Sequence, residues 1–384
     1  GVVFSPRGDL LLRFGFGPEI KLMKTINGGH AATLRTTDGG IRFADWSRDG
    51  RLVVAASDDM RIFVYDVEKA LAGSKEGLLR ANINVGEEPV AYCLVCPNGS
   101  TVLSCDDDGQ LETWCIKTER LIHRYSTGHS SVMASFASDS RFIISCADFE
   151  CGVAILDAET SEVVDLATFD QLTESRNKTG YAIAPCGKWV AVYILEQTWG
   201  PNLAIYNVDE HTCRSIKVCD GAVLDVEFST DGNEFVASGR DNMIHVLDTR
   251  SLDSVATLVG HTCDVLFCRV SGDRAYAVSG DSDGDVFVWT VQSSEPMLRL
   301  QAHTAPVVSC DMNVDGRRAF TLDAEGNAYL WYLDMHGLFD VMLQNSHQLS
   351  CCQAAMDGRR MVVGYDDGSL RLWAVGMYIS QAWL

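Results

Sequence analysis

The chain alternates between short apolar runs and polar turns from one end to the other. The clearest unit has apolar runs at Val265 to Val270, Ala275 to Ser279, Val286 to Val291 and Met297 to Leu300, separated by turns that contain Gly, Asp and Ser. Short β-rich runs bounded by such turns predict antiparallel strands joined by hairpins. This unit therefore predicts a four-stranded antiparallel sheet.

The same unit recurs along the chain about every 40 to 45 residues, which is the period of a four-stranded repeat. In the clearest copy the unit opens with Gly260-His261 and its third strand closes on Trp289. The other third strands end at Tyr65-Asp66, Trp114-Cys115, Leu156-Asp157, Tyr206-Asn207, Leu247-Asp248, Trp331-Tyr332 and Trp373-Ala374, and a first copy has its third strand at Ile20 to Met23. Together these copies predict an all-β chain of about nine repeat units.

A Gly-His pair, a Ser or Thr, an Asp and a closing Trp in one repeat resemble the WD-repeat family, and the resemblance covers essentially all of residues 1–384. It implies a β-propeller of four-stranded antiparallel blades. Closed rings usually have up to about eight blades, so about nine units fit either a single ring of eight or nine blades or one ring and part of a second. The chain starts inside an apolar strand without an initiating Met, so we expect it to be a segment of a longer protein.

The resemblance also implies a hydrogen-bonded network inside each blade. In the clearest unit the matching residues are His261, Ser279, Asp283 and Trp289. The next unit offers His303, Thr321 and Trp331, with Glu325 at the Asp position, and the last offers His347, Asp367 and Trp373, with Val363 at the Ser position. An earlier unit has Ser104, Asp108 and Trp114, but Glu87 stands where the His is expected. We interpret all of these residues as structural.

In this family the turn before the third strand and the loop before the first strand share one face, which the resemblance implies is the partner-binding face. Its turn residues are Asp58, Asp107, Arg240, Ser282, Ala324 and Asp366, and its loop residues are Glu87, Glu88, Ser131, Asp264 and Pro306. Most of these side chains are acidic or small, and such a surface favours basic or polar peptides. The competing interpretation is that they are ordinary turn residues, since Asp is favoured in turns for backbone reasons.

Composition narrows the class of protein. The 384 residues are 47% hydrophobic, which suffices for a large core, and no run approaches the ~20 apolar residues of a membrane span. Fifty-two acidic against 31 basic side chains give a net charge of −21, which disfavours binding to nucleic acid or anionic lipid. Of the 14 cysteines, Cys93, Cys268, Cys310 and Cys352 occupy equivalent first-strand positions, where they cannot pair with one another. We expect reduced core thiols and an intracellular location, cytoplasmic or nuclear.

Two motifs of common enzyme classes are missing from the sequence, the phosphate-binding Gly-x-x-x-x-Gly-Lys and His-Glu-x-x-His. Residues 280–284 match Gly-x-Ser-x-Gly, but they fall in a predicted turn between two strands, whereas the hydrolase motif lies between a strand and a helix. Asp106-Asp107-Asp108 resembles a metal-binding cluster, but its place in a turn favours a structural role, so we expect no metal and no cofactor. A non-enzymatic protein-interaction scaffold in a multiprotein complex is the main hypothesis. Two alternatives stay open: a sensor propeller attached to a nucleotide-driven assembly domain, and an enzyme with a site at the centre of the ring. The enzyme would need acidic or His side chains on the innermost strands, where the sequence predicts mainly Val, Cys, Ala and Ser.

Overall fold

Strands dominate the fold. The computed structural model describes residues 1–36, 39–74, 78–86, 88–126, 132–136, 142–147, 152–157, 163–168, 179–196, 200–291, 296–301, 303–312, 316–333, 337–343, 349–354, 360–365 and 370–374. In these ranges it has 35 strands and one short helix. The strands form eight four-stranded sheets and one three-stranded sheet, and every described pairing joins antiparallel neighbours in chain order. The prediction of an all-β fold built from four-stranded antiparallel sheets is confirmed, whereas the number of blades in a ring stays a prediction.

The chain divides into two compact units. Unit 1 comprises residues 1–147, 154–164 and 350–384, and unit 2 comprises residues 148–153 and 165–349.

Three complete sheets lie in unit 1. The first contains β1 (Val2–Phe4), β2 (Leu10–Arg13), β3 (Glu19–Lys24) and β4 (His30–Arg35). The second contains β5 (Ile41–Trp46), β6 (Leu52–Ser57), β7 (Arg61–Asp66) and β8 (Leu79–Asn84), with helix α1 (Val67–Leu71) between its last two strands. The third contains β9 (Val90–Val95), β10 (Thr101–Asp106), β11 (Gln110–Cys115) and β12 (Leu121–Ser126). The three-stranded sheet contains β33 (Leu349–Ala354), β34 (Arg360–Tyr365) and β35 (Leu370–Ala374).

The strands between these groups continue the pattern. The fourth sheet contains β13 (Val132–Phe136), β14 (Phe142–Ala147), β15 (Gly152–Asp157) and β16 (Val163–Thr168). The fifth and sixth contain β17 (Thr179–Ile183), β18 (Trp189–Ile194), β19 (Leu203–Asn207) and β20 (Thr212–Ile216), then β21 (Val223–Phe228), β22 (Glu234–Gly239), β23 (Met243–Asp248) and β24 (Ser254–Val259). The seventh and eighth contain β25 (Val265–Val270), β26 (Tyr276–Asp281), β27 (Asp285–Thr290) and β28 (Pro296–Gln301), then β29 (Val307–Met312), β30 (Arg318–Asp323), β31 (Ala328–Tyr332) and β32 (Gly337–Leu343).

Burial within each sheet of unit 2 changes from the first strand to the last. The first strands β21, β25 and β29 pack against one another, and the second strands β18, β22 and β26 are almost entirely buried. The fourth strands β20 and β24 are largely exposed. A strand buried on both faces reads as a continuous apolar run, whereas a half-exposed strand alternates. This gradient explains why a second strand such as β18 is a continuous apolar run.

The core lies between consecutive sheets. In unit 2, Val246 and Leu258 of the sixth sheet pack with Val265, Phe287 and Trp289 of the seventh. The equivalent cluster in unit 1 joins the first two sheets. Each sheet therefore depends on the next one to bury its apolar face, which is the physical reason for the repeat.

The first-strand cysteines belong to this core, as predicted. Cys93, Cys268 and Cys310 are buried and carry free thiols. Cys352 lies in β33, but its side chain is outside the described part of the chain. These thiols pack as small apolar residues.

Helix α1 is the longest helix in the described ranges and has five residues, which is far too short to cross a membrane. Its first turn is capped by Asp66, whose carboxylate accepts the backbone N–H of Lys69 at 3.0 Å and binds Arg80. An Asp cap of this kind satisfies a backbone donor that the helix leaves free.

Candidate interaction surface

The seventh sheet contains a continuous buried hydrogen-bond network. The Nε1 of Trp289 donates to the Oγ of Ser279 at 2.8 Å, and that hydroxyl lies 2.7 Å from the Nε2 of His261. The Nδ1 of His261 lies 2.8 Å from a carboxylate oxygen of Asp281. All four side chains are buried, and the ring of Phe287 contacts the imidazole edge at 4.3 Å between centroids. The network joins the loop before β25 to strands β26 and β27.

The eighth sheet repeats the arrangement. Trp331 donates to Thr321 at 2.7 Å, Thr321 lies 2.7 Å from Nε2 of His303, and Nδ1 of His303 lies 3.0 Å from Asp323. Burial lowers the pKa of His303 although Asp323 opposes the shift. The neutral imidazole then donates from Nδ1 to the carboxylate and accepts the threonine hydroxyl proton at Nε2, so every polar atom in the network has a partner.

The acidic member of each network differs from the one that the sequence predicted. Asp281 is the last residue of β26 and lies two positions after Ser279, so both side chains emerge from the same face of the strand. Asp283 lies in the following turn, where its carboxylate accepts the thiol of Cys263 at 3.0 Å, so its assignment to the network was wrong. Glu325 was likewise assigned to the position that Asp323 occupies.

The same rule corrects the third sheet. Trp114 donates to Ser104 at 3.0 Å, and Asp106, two residues after Ser104, ends β10 and accepts the N–H of Gln110. Asp106 therefore stands at the position that we had assigned to Asp108. Asp281 and Asp323 accept turn N–H groups in the same way.

In the last repeat, His347 and Asp367 lie outside the described residues, as does the side chain of Trp373 in β35.

The predicted face residues lie at one edge of their sheets. Asp58, Arg240, Ser282 and Ala324 each follow a second strand and donate a backbone N–H to the residue before the first strand of the same sheet. Two of those acceptors, Asp264 and Pro306, were also on the predicted face. Asp107 follows β10 and Glu88 precedes β9, which are the equivalent places in the third sheet. Glu87, Ser131 and Asp366 lie outside the described residues.

Charges on this edge are more balanced than the sequence suggested. In unit 1, Arg42 binds a carboxylate oxygen of Asp107 at 2.9 Å and lies 3.4 Å from one of Asp58. In unit 2, Arg240 lies 3.6 Å from Asp264. The Arg42–Asp107 and Arg240–Asp264 contacts link consecutive sheets, whereas Arg42 and Asp58 belong to the same sheet. Exposed pairs of this kind contribute little stability, about 0–1 kcal/mol.

The first strands of unit 2 carry a charged group that sequence analysis missed. Asp225 on β21 pairs with Arg269 on β25, and Glu227 accepts the N–H of Val270 at 3.0 Å. Burial raises the pKa of Glu227 to about 7, opposed by Arg269 and the Val270 N–H. Burial also raises the pKa of Asp311 on β29. The expectation that these strands hold mainly Val, Cys, Ala and Ser was wrong. Acidic residues at the third and fifth strand positions, next to the core cysteine position, were the signal available in the sequence.

Asn202 is a second residue that sequence analysis missed. It is fully buried before β19, and its amide donates to the carbonyl oxygens of Cys219 at 2.9 Å and Gly221 at 3.0 Å. Its own oxygen accepts the N–H of Val218 at 2.8 Å. Asn202 thus holds the loop before β21, which is the equivalent of the loop before β25 that contains His261.

In the part of the chain that the structure describes, no group of three or more His, Cys, Asp or Glu side chains is arranged to hold a metal ion. Asp106 ends β10, and Asp107 and Asp108 lie in the turn that follows it.

Comparison with known proteins points to one family. The model of the family described as WD domain, G-beta repeat matches residues 25–66, 211–248, 252–290 and 341–374. Protein groucho of Drosophila melanogaster is 24% identical over 250 residues, which cover 64% of this chain and 32% of groucho. The chain thus matches about a third of the length of that relative.

Solved structures agree on the fold. The C-terminal WD40 domain of Sif2 is 13% identical, with 98% of this chain and 95% of that domain covered and a TM-score of 0.58. The Dos1 propeller is 12% identical, with 90% of this chain and 94% of that chain covered and a TM-score of 0.63. Repeat matches at four places and a groucho relative indicate that this chain is similar to the WD-repeat family, and the solved propellers share its fold.

Proposed function

We propose that this chain is a non-enzymatic protein-interaction domain that binds partners through the sheet edge carrying the turns after the second strands, within a larger intracellular complex. One observation carries the proposal: in four sheets, the turn after the second strand is fixed by a backbone hydrogen bond to the loop before the first strand. The side chains on this edge are therefore held in place while Asp58, Asp107 and Arg240 stay about half exposed. Rigid display of exposed polar side chains favours recognition with little ordering cost.

The buried histidines support this proposal, because each of them is already hydrogen-bonded to other side chains of the protein. His261 and His303 each bind a carboxylate and a hydroxyl within the same sheet. Their donor and acceptor capacity is satisfied, so neither is poised to act on a substrate. Similarity to the WD-repeat family, whose propellers are typical of interaction scaffolds, agrees with this proposal.

The first-strand charged group is the observation that favours the alternative of an enzyme. Asp225, however, is paired with Arg269, and Glu227 and Asp311 each accept a backbone N–H. These contacts account for each carboxylate, and we interpret the group as structural. The alternative predicts that a Glu227→Gln variant loses an activity, whereas the interaction domain predicts unchanged partner binding.

A crosslinking experiment tests the proposed face. A photo-reactive phenylalanine analogue is placed at Ser282 or Ala324 in the full-length protein, with Glu210 and Ser251 on the third-to-fourth strand turns as controls. Identified partners should crosslink from the first pair and not from the second. Equal crosslinking from both pairs would contradict the proposed face.

A further inference from the structure

The turn between β2 and β3 in unit 1 displays an aromatic ring to solvent. Phe16 is fully exposed, with a relative accessibility of 104%, whereas Phe14 packs against the core of the first two sheets. A Cβ added at Gly15 or Gly17 would meet no atom within 4 Å, so the turn around the ring is open. Burying a phenyl ring contributes about 1.5–3 kcal/mol, and this one is unused within the described part of the chain.

A carboxylate lies beside this turn. A Cβ built on Gly40 would come within 2.7 Å of a carboxylate oxygen of Asp58 and 2.9 Å of the carbonyl oxygen of Phe16. The N–H of Ile41 donates to the carbonyl of Gly15 at 2.8 Å, which fixes the aromatic turn against the start of the second sheet. The acid and the aromatic turn thus flank one glycine, where any side chain would separate them.

The local charge favours a cation. Asp58 and Asp107 are 55% and 54% exposed, and they share the single guanidinium of Arg42. Two carboxylates bound to one guanidinium leave a surplus negative charge, and Arg42 itself demonstrates that this surface accommodates a guanidinium. The net charge of −21 attracts cationic segments toward the protein.

We propose that Phe16, Asp58 and Asp107, which we name the aromatic-acidic edge, bind an arginine side chain of a partner protein. The guanidinium stacks on the Phe16 ring and donates to the Asp58 carboxylate. Arginine fits better than lysine because its planar group stacks on aromatic rings and pairs with carboxylates through two parallel hydrogen bonds. The inference rests on the proposed function and specifies the partner chemistry of the unit 1 part of that face.

Fluorescence anisotropy at about 0.15 M salt, where the screening length is about 8 Å, tests the inference. The probe is a fluorescein-labelled Gly/Ser peptide with two arginines, and its control replaces both arginines with citrulline, which keeps the shape and removes the charge. The arginine peptide should bind at least about tenfold more tightly than the citrulline peptide. Phe16→Ala and Asp58→Asn should each weaken arginine-peptide binding by about 3- to 30-fold, as expected for a cation held by a ring and a carboxylate.

Three matched variants make the result specific. Phe16→Tyr should retain binding and Phe16→Leu should lose it, because leucine keeps the apolar surface without the ring. Ile26→Ala removes an exposed apolar side chain, 68% accessible, from the opposite turn of the same sheet and should change nothing. All of these positions are exposed, so the variants should fold normally.

Equal binding of the arginine and citrulline peptides, equal binding of a lysine peptide, or an unchanged affinity of Phe16→Ala would overturn the inference. The proposed function is tested separately by the crosslinks from Ser282 and Ala324. Loss of those crosslinks contradicts the proposed function, whereas intact crosslinks with a failed peptide assay contradict only the arginine site.

Discussion

The sixth and seventh sheets hold the loop before their first strand in opposite ways, one with apolar residues and the other with a polar network. In the seventh sheet, His261, Ser279 and Trp289 form a polar network that ends on Asp281. The equivalent positions of the sixth sheet hold Cys219, Ala237, Leu247 and Gly239. Three of these residues belong to one apolar cluster, and Asn202 provides the polar contacts to the loop.

In these two sheets the network is either complete or replaced by apolar groups, whereas the third sheet keeps the Trp114–Ser104 pair and Asp106. A buried polar group that loses its partner costs about 1–3 kcal/mol, whereas replacing all partners by apolar groups of similar shape is close to neutral. Gly239 completes the apolar version, because a Cβ there would lie 2.6 Å from the carbonyl oxygen of Ala222. A side chain at Gly239 would therefore require this loop to move.

The largest expected effect breaks the seventh-sheet network. His261→Ala should lower the free energy of unfolding by about 3–5 kcal/mol, because one carboxylate oxygen of Asp281 and the hydroxyl of Ser279 lose their buried partner. Cys219→Ala, at the equivalent position of the sixth sheet, should cost only about 1 kcal/mol, since it deletes one small apolar group. Urea unfolding followed by tryptophan fluorescence measures both. Similar losses for the two variants would contradict the comparison.

Asn202→Ala tests the polar contact of the sixth sheet. We expect a loss of about 2–3 kcal/mol, because two carbonyl groups and one N–H group lose their partner in the interior. The control is Asn233→Ala, since Asn233 makes its side-chain contact with Asp231 at the surface. Thermal unfolding of both variants should show a large shift for the first and almost none for the second.

Glu227→Gln tests the first-strand charged group that joins these two sheets. With its pKa raised to about 7, Glu227 binds more protons in the folded than in the unfolded state between about pH 4.5 and pH 7, so stability falls as the pH rises through this window. The Gln variant keeps an acceptor for the N–H of Val270 and removes the buried charge. It should be more stable than the parent by roughly 2 kcal/mol at pH 8 and similar to it at pH 4.

Other titratable and charged groups surround Glu227, and a control must separate their effect from that of Glu227 itself. These groups are Asp225, Arg269, Asp311, Cys268 and Cys310. Glu234→Gln on β22, at a half-buried position beside Arg274, should leave the pH profile unchanged. A Glu227→Gln profile parallel to that of the parent would show that another group is responsible.

The smallest expected effect tests which aspartate, Asp281 or Asp283, belongs to the seventh-sheet network. Asp283→Asn should change the free energy of unfolding by less than about 0.5 kcal/mol, because the side chain lies in an exposed turn outside the network. Asp281→Asn should cost several times more. Equal effects would restore the assignment of Asp283 that the sequence suggested.

Features that depend on local sequence patterns could be predicted, whereas features that depend on contacts between distant residues could not. The sequence predicted the strand positions and the four-stranded repeat. It also predicted the core role of Cys93, Cys268 and Cys310 and the network positions of His261, Ser279 and Trp289. The choice between Asp281 and Asp283 was harder, since both lie near a turn glycine and only the face of the strand distinguishes them. Asn202 was missed because its partners Val218, Cys219 and Gly221 lie 16 to 19 residues later, in the loop before the next sheet.

The sequence by itself determined the fold class, because a repeating alternation of apolar strands and turns leaves each sheet with an apolar face that only a neighbouring sheet can cover. The tertiary structure alone decided which charges meet. Arg42 bridges two acids from successive repeats, Arg269 pairs with Asp225 on another sheet, and Phe16 stands exposed beside Asp58. The physical reason is that charge pairing and exposure depend on side chains from different strands and repeats, as much as 65 residues apart in the sequence, and a repeat pattern does not show which of them meet.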